Sequence, residues 1–220
     1  MIGQLSKEEV NRKLLHIIAV VLPVLIFYGP IYYDLSRLFM VGLIFFLFIF
    51  SLMIEFFRFK IKSFSAWFTS AFGSMMRVDE KKQLTGATYV LGGSAICSLL
   101  STYSEDIAVT AFISLTLFIL GDAVAAIVGK AIGRIRVGDK TLEGALGCFV
   151  CCAIVAGLVF PQLPCFVKYW GSDISTPEII ILAATVSILE LFPIKYDRLI
   201  LNDNLYVPAV TTVIMYLVHS

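Results

Sequence analysis

Asp122 stands in an apolar run, 107–129, that holds no other Asp, Glu, Lys or Arg. A charge buried in a bilayer is costly, so an ionisable residue in such a run is read first as functional. Ala125, Gly129 and Gly133 follow at intervals of three, four and four, which puts all four residues on one helix face. Small residues at this spacing are also a standard packing surface between membrane helices. Packing suffices for Ala125 and Gly129 but leaves Asp122 unexplained. Beyond Gly133 comes a polar stretch with Arg134, Arg136, Gly138, Asp139, Lys140, Thr141, Glu143 and Gly144. Arg136 and Lys140 have the charge to neutralise phosphates. Backbone N–H groups at a helix start near Thr141 would point at an anion. Asp122 and Glu143 offer the hard oxygens that Mg2+ takes while sharing its sphere with phosphates and water. These parts suit a nucleoside triphosphate with its metal. No G-x-x-x-x-G-K-S/T loop occurs, which excludes a P-loop phosphotransferase.

Other segments repeat the theme. Arg12, Lys13 and His16 stand at the edge of the first apolar run, with Arg12 and His16 on one face. Arg12 and Lys13 suit snorkelling at the membrane surface as well as phosphate binding; His16 lies inside the run. Leu84-Thr85-Gly86-Ala87-Thr88-Tyr89 is a small, hydroxyl-rich helix start, readable as a cap. Glu190 precedes Pro193, and Asn202-Asp203-Asn204 has the composition of a turn. A general base is available in His16 or in one of the carboxylates.

The elements that must position these groups are membrane helices. Of 220 residues, 59% are apolar and 15% charged, against roughly half and about a quarter in soluble domains. One soluble core of this size cannot hide so much apolar surface. The pattern predicts an all-α polytopic protein with about seven transmembrane helices, near 14–33, 38–57, 88–103, 107–129, 144–160, 178–192 and 205–218. The first is read as an uncleaved span, since no small-x-small site follows it. With a cytoplasmic N-terminus, 15 of the 17 Lys and Arg residues fall inside, leaving Arg37 and Lys168 outside. Ile61, Phe64, Phe68, Ala71, Phe72 and Met75 recur at helical spacing, which predicts a cytosolic amphipathic helix lying in the interface. The seven spans leave only short connections, so residues 1–220 are one transmembrane catalytic domain. The net charge of +1 gives no basic field for nucleic acid. Five cysteines, an odd number mostly in apolar runs, read as packing residues rather than disulfides. The polar groups gather at the cytoplasmic ends of the spans, which implies one cytosolic site at the membrane boundary.

Asp122-x-x-Ala125-x-x-x-Gly129-x-x-x-Gly133, followed by Lys140-Thr141-x-Glu143-Gly144, resembles the CTP-binding segment of the CTP-dependent lipid-alcohol kinases: dolichol kinase, phytol kinase and CTP-dependent diacylglycerol kinase. Arg12-Lys13-x-x-His16 is similar to that family's N-terminal signature, and Glu190-x-x-Pro193 with Asp203-Asn204 to its tail. Where an Asp-Asp-Asn is common in the family, this chain has Asn202-Asp203-Asn204, one carboxylate fewer. The resemblance implies transfer of the γ-phosphoryl group of CTP to the hydroxyl of a membrane lipid alcohol, with Mg2+, at the cytosolic face. It implies Asp122 as principal metal ligand, with Glu143, Glu190 and Asp203 as further candidates. Lys140 and Arg136 would hold phosphates, closed over by Arg12 and Lys13, along the segment of Ala125, Gly129, Gly133, Thr141 and Gly144. The family is related to the CTP transferases that make CDP-diacylglycerol, so a phosphatidate cytidylyltransferase is the first rival. A small lipid or ion transporter is the second, although the two halves show no convincing internal repeat.

Overall fold

In the computed structural model, which describes residues 7–76, 79–196 and 199–219, helices form in all seven predicted regions. Arg77 and Arg198, counted above among the inward cations, lie outside the described residues. The helices are α1 (Lys7–Ile18), α2 (Val21–Tyr33), α3 (Arg37–Lys60), α4 (Lys62–Phe72), α5 (Gly86–Leu100), α6 (Glu105–Ile132), α7 (Leu142–Ile154), α8 (Phe166–Trp170), α9 (Thr176–Leu191) and α10 (Asp203–His219). Among the described residues four stretches are long and apolar enough to cross a membrane: Asn11–Tyr33, Arg37–Lys60, Glu105–Ile132 and Leu142–Gln162. The helices at the other three predicted spans have 15, 16 and 17 residues, short of the roughly 20 that cross a bilayer upright. Phe46, Ile49, Phe50 and Phe56 on α3 stay exposed, a surface that soluble proteins rarely present. The chain is a membrane protein.

Local chemistry sets the boundaries. Ser36 Oγ accepts from Phe39 N–H at the start of α3, and Ser104 Oγ accepts from Ile107 N–H at the start of α6, each satisfying a helix-end donor. Glu178 accepts from both the N–H and the Oγ–H of Ser175 ahead of α9. The first predicted span is not one continuous helix: α1 begins at Lys7 and breaks at Ala19–Val20. Pro23 explains the break, because it has no N–H for the Ala19 carbonyl and its ring crowds that oxygen. The chain tightens there into three-residue bonds, Ala19 N–H to His16 O and Leu22 N–H to Ala19 O.

α6 is the central post. Its apolar window is 72% buried, against 17% for α3, and it packs against α1, α2, α5, α7, α9 and α10. Phe27 of α2 stacks on Phe112, which also meets Phe160. α6 and α7 approach closely: a Cβ on Gly121 would stand 2.7 Å from the Cys148 sulfur. Cys148 and Cys152 are buried free thiols, in the packing role expected of them. α4 has no buried residue. α9 and α10 pack together, clasped at one end where His219 Nδ1 lies 2.8 Å from Glu178 Oε1 and the imidazole stacks on Trp170.

Two antiparallel pairs depart from the all-α expectation: β1 (Arg136–Val137) with β2 (Lys140–Thr141), and β3 (Lys195–Tyr196) with β4 (Leu199–Ile200). In the first, Gly138 takes φ +62°, the left-handed conformation that two-residue hairpin turns need. The Gly138-Asp139 pair between two short runs was the sequence signal for it.

Candidate active site

The polar groups predicted from five separate stretches converge beside α6. Asp122 is buried there, facing α1. Lys13 Nζ donates to Asp122 Oδ2 at 2.7 Å and to the Asp122 carbonyl at 3.2 Å. His16 Nε2 lies 3.2 Å from the same Oδ2. The break at Ala19–Val20 lets α1 turn onto α6 while α2 stays in the core. From the hairpin, Lys140 Nζ reaches Glu190 Oε1 at 2.7 Å and Asp203 Oδ2 at 2.8 Å. Burial disfavours the lysine's charge, but the carboxylates of Asp203 and Glu190 outweigh it and hold the ammonium above the ordinary lysine range.

Asp122, Glu190 and Asp203 each offer an oxygen within 4.8 Å of the others. Such crowding of carboxylates is tolerable only beside cations, and two lysines stand against three acids here. An all-oxygen donor set with negative charge in excess fits Mg2+, which commonly takes one or two carboxylates together with substrate phosphates. The three residues that would hold the ion come from α6, the end of α9 and the start of α10.

The start of α10 reaches this place because α5 has no side chain in its path. A Cβ on Gly93 would stand 2.2 Å from the Asn204 carbonyl oxygen, and one on Gly92 would stand 2.9 Å from Leu205 Cδ1. Pro208 denies the Asn204 carbonyl its helical donor, leaving that oxygen to lie over Gly93.

The remaining predicted residues sit differently. Glu143 is outside the acidic group: its carboxylate accepts from Ile135 N–H at 3.1 and 3.2 Å, tying the loop ahead of the hairpin. Thr141 caps α7 by accepting from Gly144 N–H at 3.2 Å, while Leu142 N–H bonds Ile135 O. These donors of the helix start are therefore already engaged within the protein. Gly129, Gly133 and Gly144 form a close contact between α6 and the start of α7: a Cβ on Gly129 would meet Thr141 Oγ1 at 2.6 Å, and one on Gly144 would meet Ala125 O at 2.7 Å. The small-residue stripe packs, as its spacing also allowed. Arg136 is exposed on the hairpin, and Arg12 is half-buried on α1.

Sequence reasoning missed a second polar cluster. Glu55 and Arg58 on α3 are buried and paired, Arg58 Nε donating to Glu55 Oε2 at 2.6 Å. Glu55 Oε1 also accepts from Thr85 N–H at 2.8 Å and Thr85 Oγ–H at 2.7 Å. Arg58 further donates to the carbonyls of Glu80 and Gln83. Thr85 thus fastens α5 to α3 rather than capping its own helix. Glu55 and Arg58 lie three apart at the end of an apolar run, and that spacing was the available signal.

The chain is 27% identical over 173 residues to CTP-dependent diacylglycerol kinase 1 of Schizosaccharomyces pombe, covering 73% of this chain and 72% of that protein. It is 26% identical over 203 residues to the uncharacterized protein RP860 of Rickettsia prowazekii, covering 91% of this chain and 89% of that one. No solved structure matches it. The model of the cytidylyltransferase family matches residues 2–192, a range that holds Lys13, Asp122, Lys140 and Glu190, and the chain belongs to that family.

Proposed function

We propose that the protein is a CTP-dependent lipid kinase that, with Mg2+, transfers the γ-phosphoryl group of CTP to the hydroxyl of a lipid alcohol at the cytosolic face of its membrane. The observation that carries this is the meeting of Asp122, Glu190 and Asp203 within 4.8 Å, with Lys13 and Lys140 bonded to them. The hydroxyl oxygen bonds to the γ-phosphorus, the bridging P–O bond to CDP breaks, and the hydroxyl proton leaves to a base. Such transfer depends on positioning and charge neutralisation more than on covalent chemistry by the protein. In this reading the three carboxylates hold Mg2+, which neutralises charge on the phosphates. Lys13 and Lys140, which neutralise the carboxylates here, turn toward the nucleotide when it arrives, and Arg12 and Arg136 add positive charge around them. Glu143 acts by holding the loop before the hairpin. Seven membrane-crossing segments with a cytoplasmic N-terminus belong to the same reading, the three shorter helices crossing with help from their flanks. The diacylglycerol kinase of Schizosaccharomyces pombe supports diacylglycerol as one candidate alcohol beside dolichol and phytol.

The family's description favours a second reading, cytidylyl transfer to phosphatidate. One assay separates the two. Purified protein is given Mg2+, CTP labelled at the γ-position and a panel of lipid alcohols and phosphatidate. Labelled lipid phosphate with CDP supports the kinase; labelled pyrophosphate with CDP-lipid replaces it by the cytidylyltransferase.

A further inference from the structure

Beside Asp122 lies a half-open cavity of about 500 Å³, within the range of roughly 300–1,000 Å³ for small-molecule sites. Lys13, His16 and Asp122 line it, but Lys140, Glu190 and Asp203 do not. Asp122 is therefore the residue that the acidic group and the cavity share. Most of the remaining wall is apolar, with Leu22, Val90, Met75 and Met76, and with Phe68 and Phe72 of α4.

We propose that this cavity receives the acceptor lipid hydroxyl-first, so that Asp122 divides an acceptor side from a phosphoryl-donor side. This rests on the lipid-kinase reading. Charge argues against the nucleotide as occupant. Lys13 in the wall is already bonded to Asp122, and Lys140 lies outside it, which makes a poor lining for a triphosphate. A neutral hydroxyl on a hydrocarbon chain meets no such penalty and gains by covering the apolar wall. The polar groups of the wall, Lys13, His16 and Asp122, stand beside the acidic group, so a hydroxyl that enters first meets hydrogen-bond partners there. The cavity holds the head of a lipid and the first part of one chain; the rest leaves past α4, where Trp67 and Phe72 are exposed.

The test uses the full-length protein in nanodiscs and a long-chain primary alcohol bearing a mid-chain diazirine, with its methyl ether as control. On illumination the alcohol should label peptides of α1, α4 and α5, and the ether, which has no O–H to donate, should label them several-fold less. Ala87→Phe, which fills the cavity from the first turn of α5, should reduce labelling at least tenfold while Mg2+–CTP binding persists. The map in the unaltered protein stands even if that variant does not fold. Label displaced by CTP alone would make the cavity a nucleotide site and overturn the proposal, as would label confined to the outer face of α3. Labelling of the cavity wall without phosphoryl transfer to any alcohol would overturn the kinase reading and leave the lipid site standing.

Discussion

Replacing Gly93 by alanine tests whether the close approach of α10 to α5 builds the site. The added Cβ would stand 2.2 Å from the Asn204 carbonyl oxygen, whereas ordinary contact begins at 3.4 Å. The obstacle is backbone, which cannot swing aside as a side-chain tip does, so the start of α10 must retreat by about 1 Å. Overpacking of this kind costs about 1–3 kcal/mol, or roughly 2–12 °C in midpoint for a chain of this size. The functional effect should be larger in proportion. Asp203 is one residue from the displaced carbonyl and contributes to the 4.8 Å group and the 2.8 Å contact with Lys140. A misplacement of about 1 Å can cost on the order of 100-fold in rate. Phosphoryl transfer from γ-labelled CTP, measured at saturating substrates alongside thermal unfolding in the same detergent, gives both numbers. Gly42→Ala is the control: nothing lies within 4 Å of its Cβ, so turnover should hold and stability should stay the same or rise by about 0.5–1 kcal/mol. If Gly93→Ala keeps the turnover and midpoint of the parent protein, the argument that this contact sets the position of Asp203 is wrong.

Asp122→Asn should abolish transfer and, by leaving the buried Lys13 without its counter-charge, destabilise the fold by about 3–5 kcal/mol; adding Lys13→Met should recover much of the stability and none of the activity, and any activity recovered would remove Asp122 from metal binding. Glu143→Gln should lower turnover about tenfold or less, since its carboxylate holds Ile135 N–H rather than joining the acidic group; a loss as deep as that of Asp122→Asn would return it to the metal site. Glu55→Gln should lower the unfolding midpoint through a stranded Arg58, again by about 3–5 kcal/mol, with a normal KM for CTP in the protein that remains folded. Chelation with EDTA should stop turnover and added Mg2+ restore it; full activity in EDTA would rule out the metal role of the three carboxylates.

Asp122 was legible because a lone carboxylate in an apolar run has no cheap explanation, and Lys13, His16, Lys140, Glu190 and Asp203 were legible as polar groups at the ends of such runs. Their division into pairs was not, because contacts between residues 109 and 63 positions apart depend on how helices pack. Glu143 shows the opposite failure: it shares a motif with Lys140, yet the start of α7 aims its carboxylate back at the loop. Glu55 and Arg58 resembled the ordinary charged end of a span, and their common burial and the bonds from Thr85 to Glu55 separate them from it. The small-residue stripe suited packing and ligand binding equally by spacing; what decides is the absence of room at Gly129 and Gly144, which only coordinates show. Helix positions followed the apolar pattern well: α5, α9 and α10 lie within a few residues of the stretches read from the sequence, while Pro23 breaks the first span.

The pairing of Lys13 with Asp122, and of Lys140 with Glu190 and Asp203, also fixes an order of manufacture. Each lysine leaves the ribosome before its acid partner, by 109 residues for Lys13 and by 63 between Lys140 and Asp203. At about 5–20 residues per second the second interval lasts roughly 3–13 s. A lysine can wait that long at the bilayer surface, because its four-carbon stem lets the ammonium reach water. An aspartate, with one methylene, has no such reach. Each long-range carboxylate of the site is therefore made after its counter-charge, and Glu55 and Arg58 arrive together on one helical turn. Asp122, on a stretch long enough to cross a membrane, never has to enter lipid before its cation has been made.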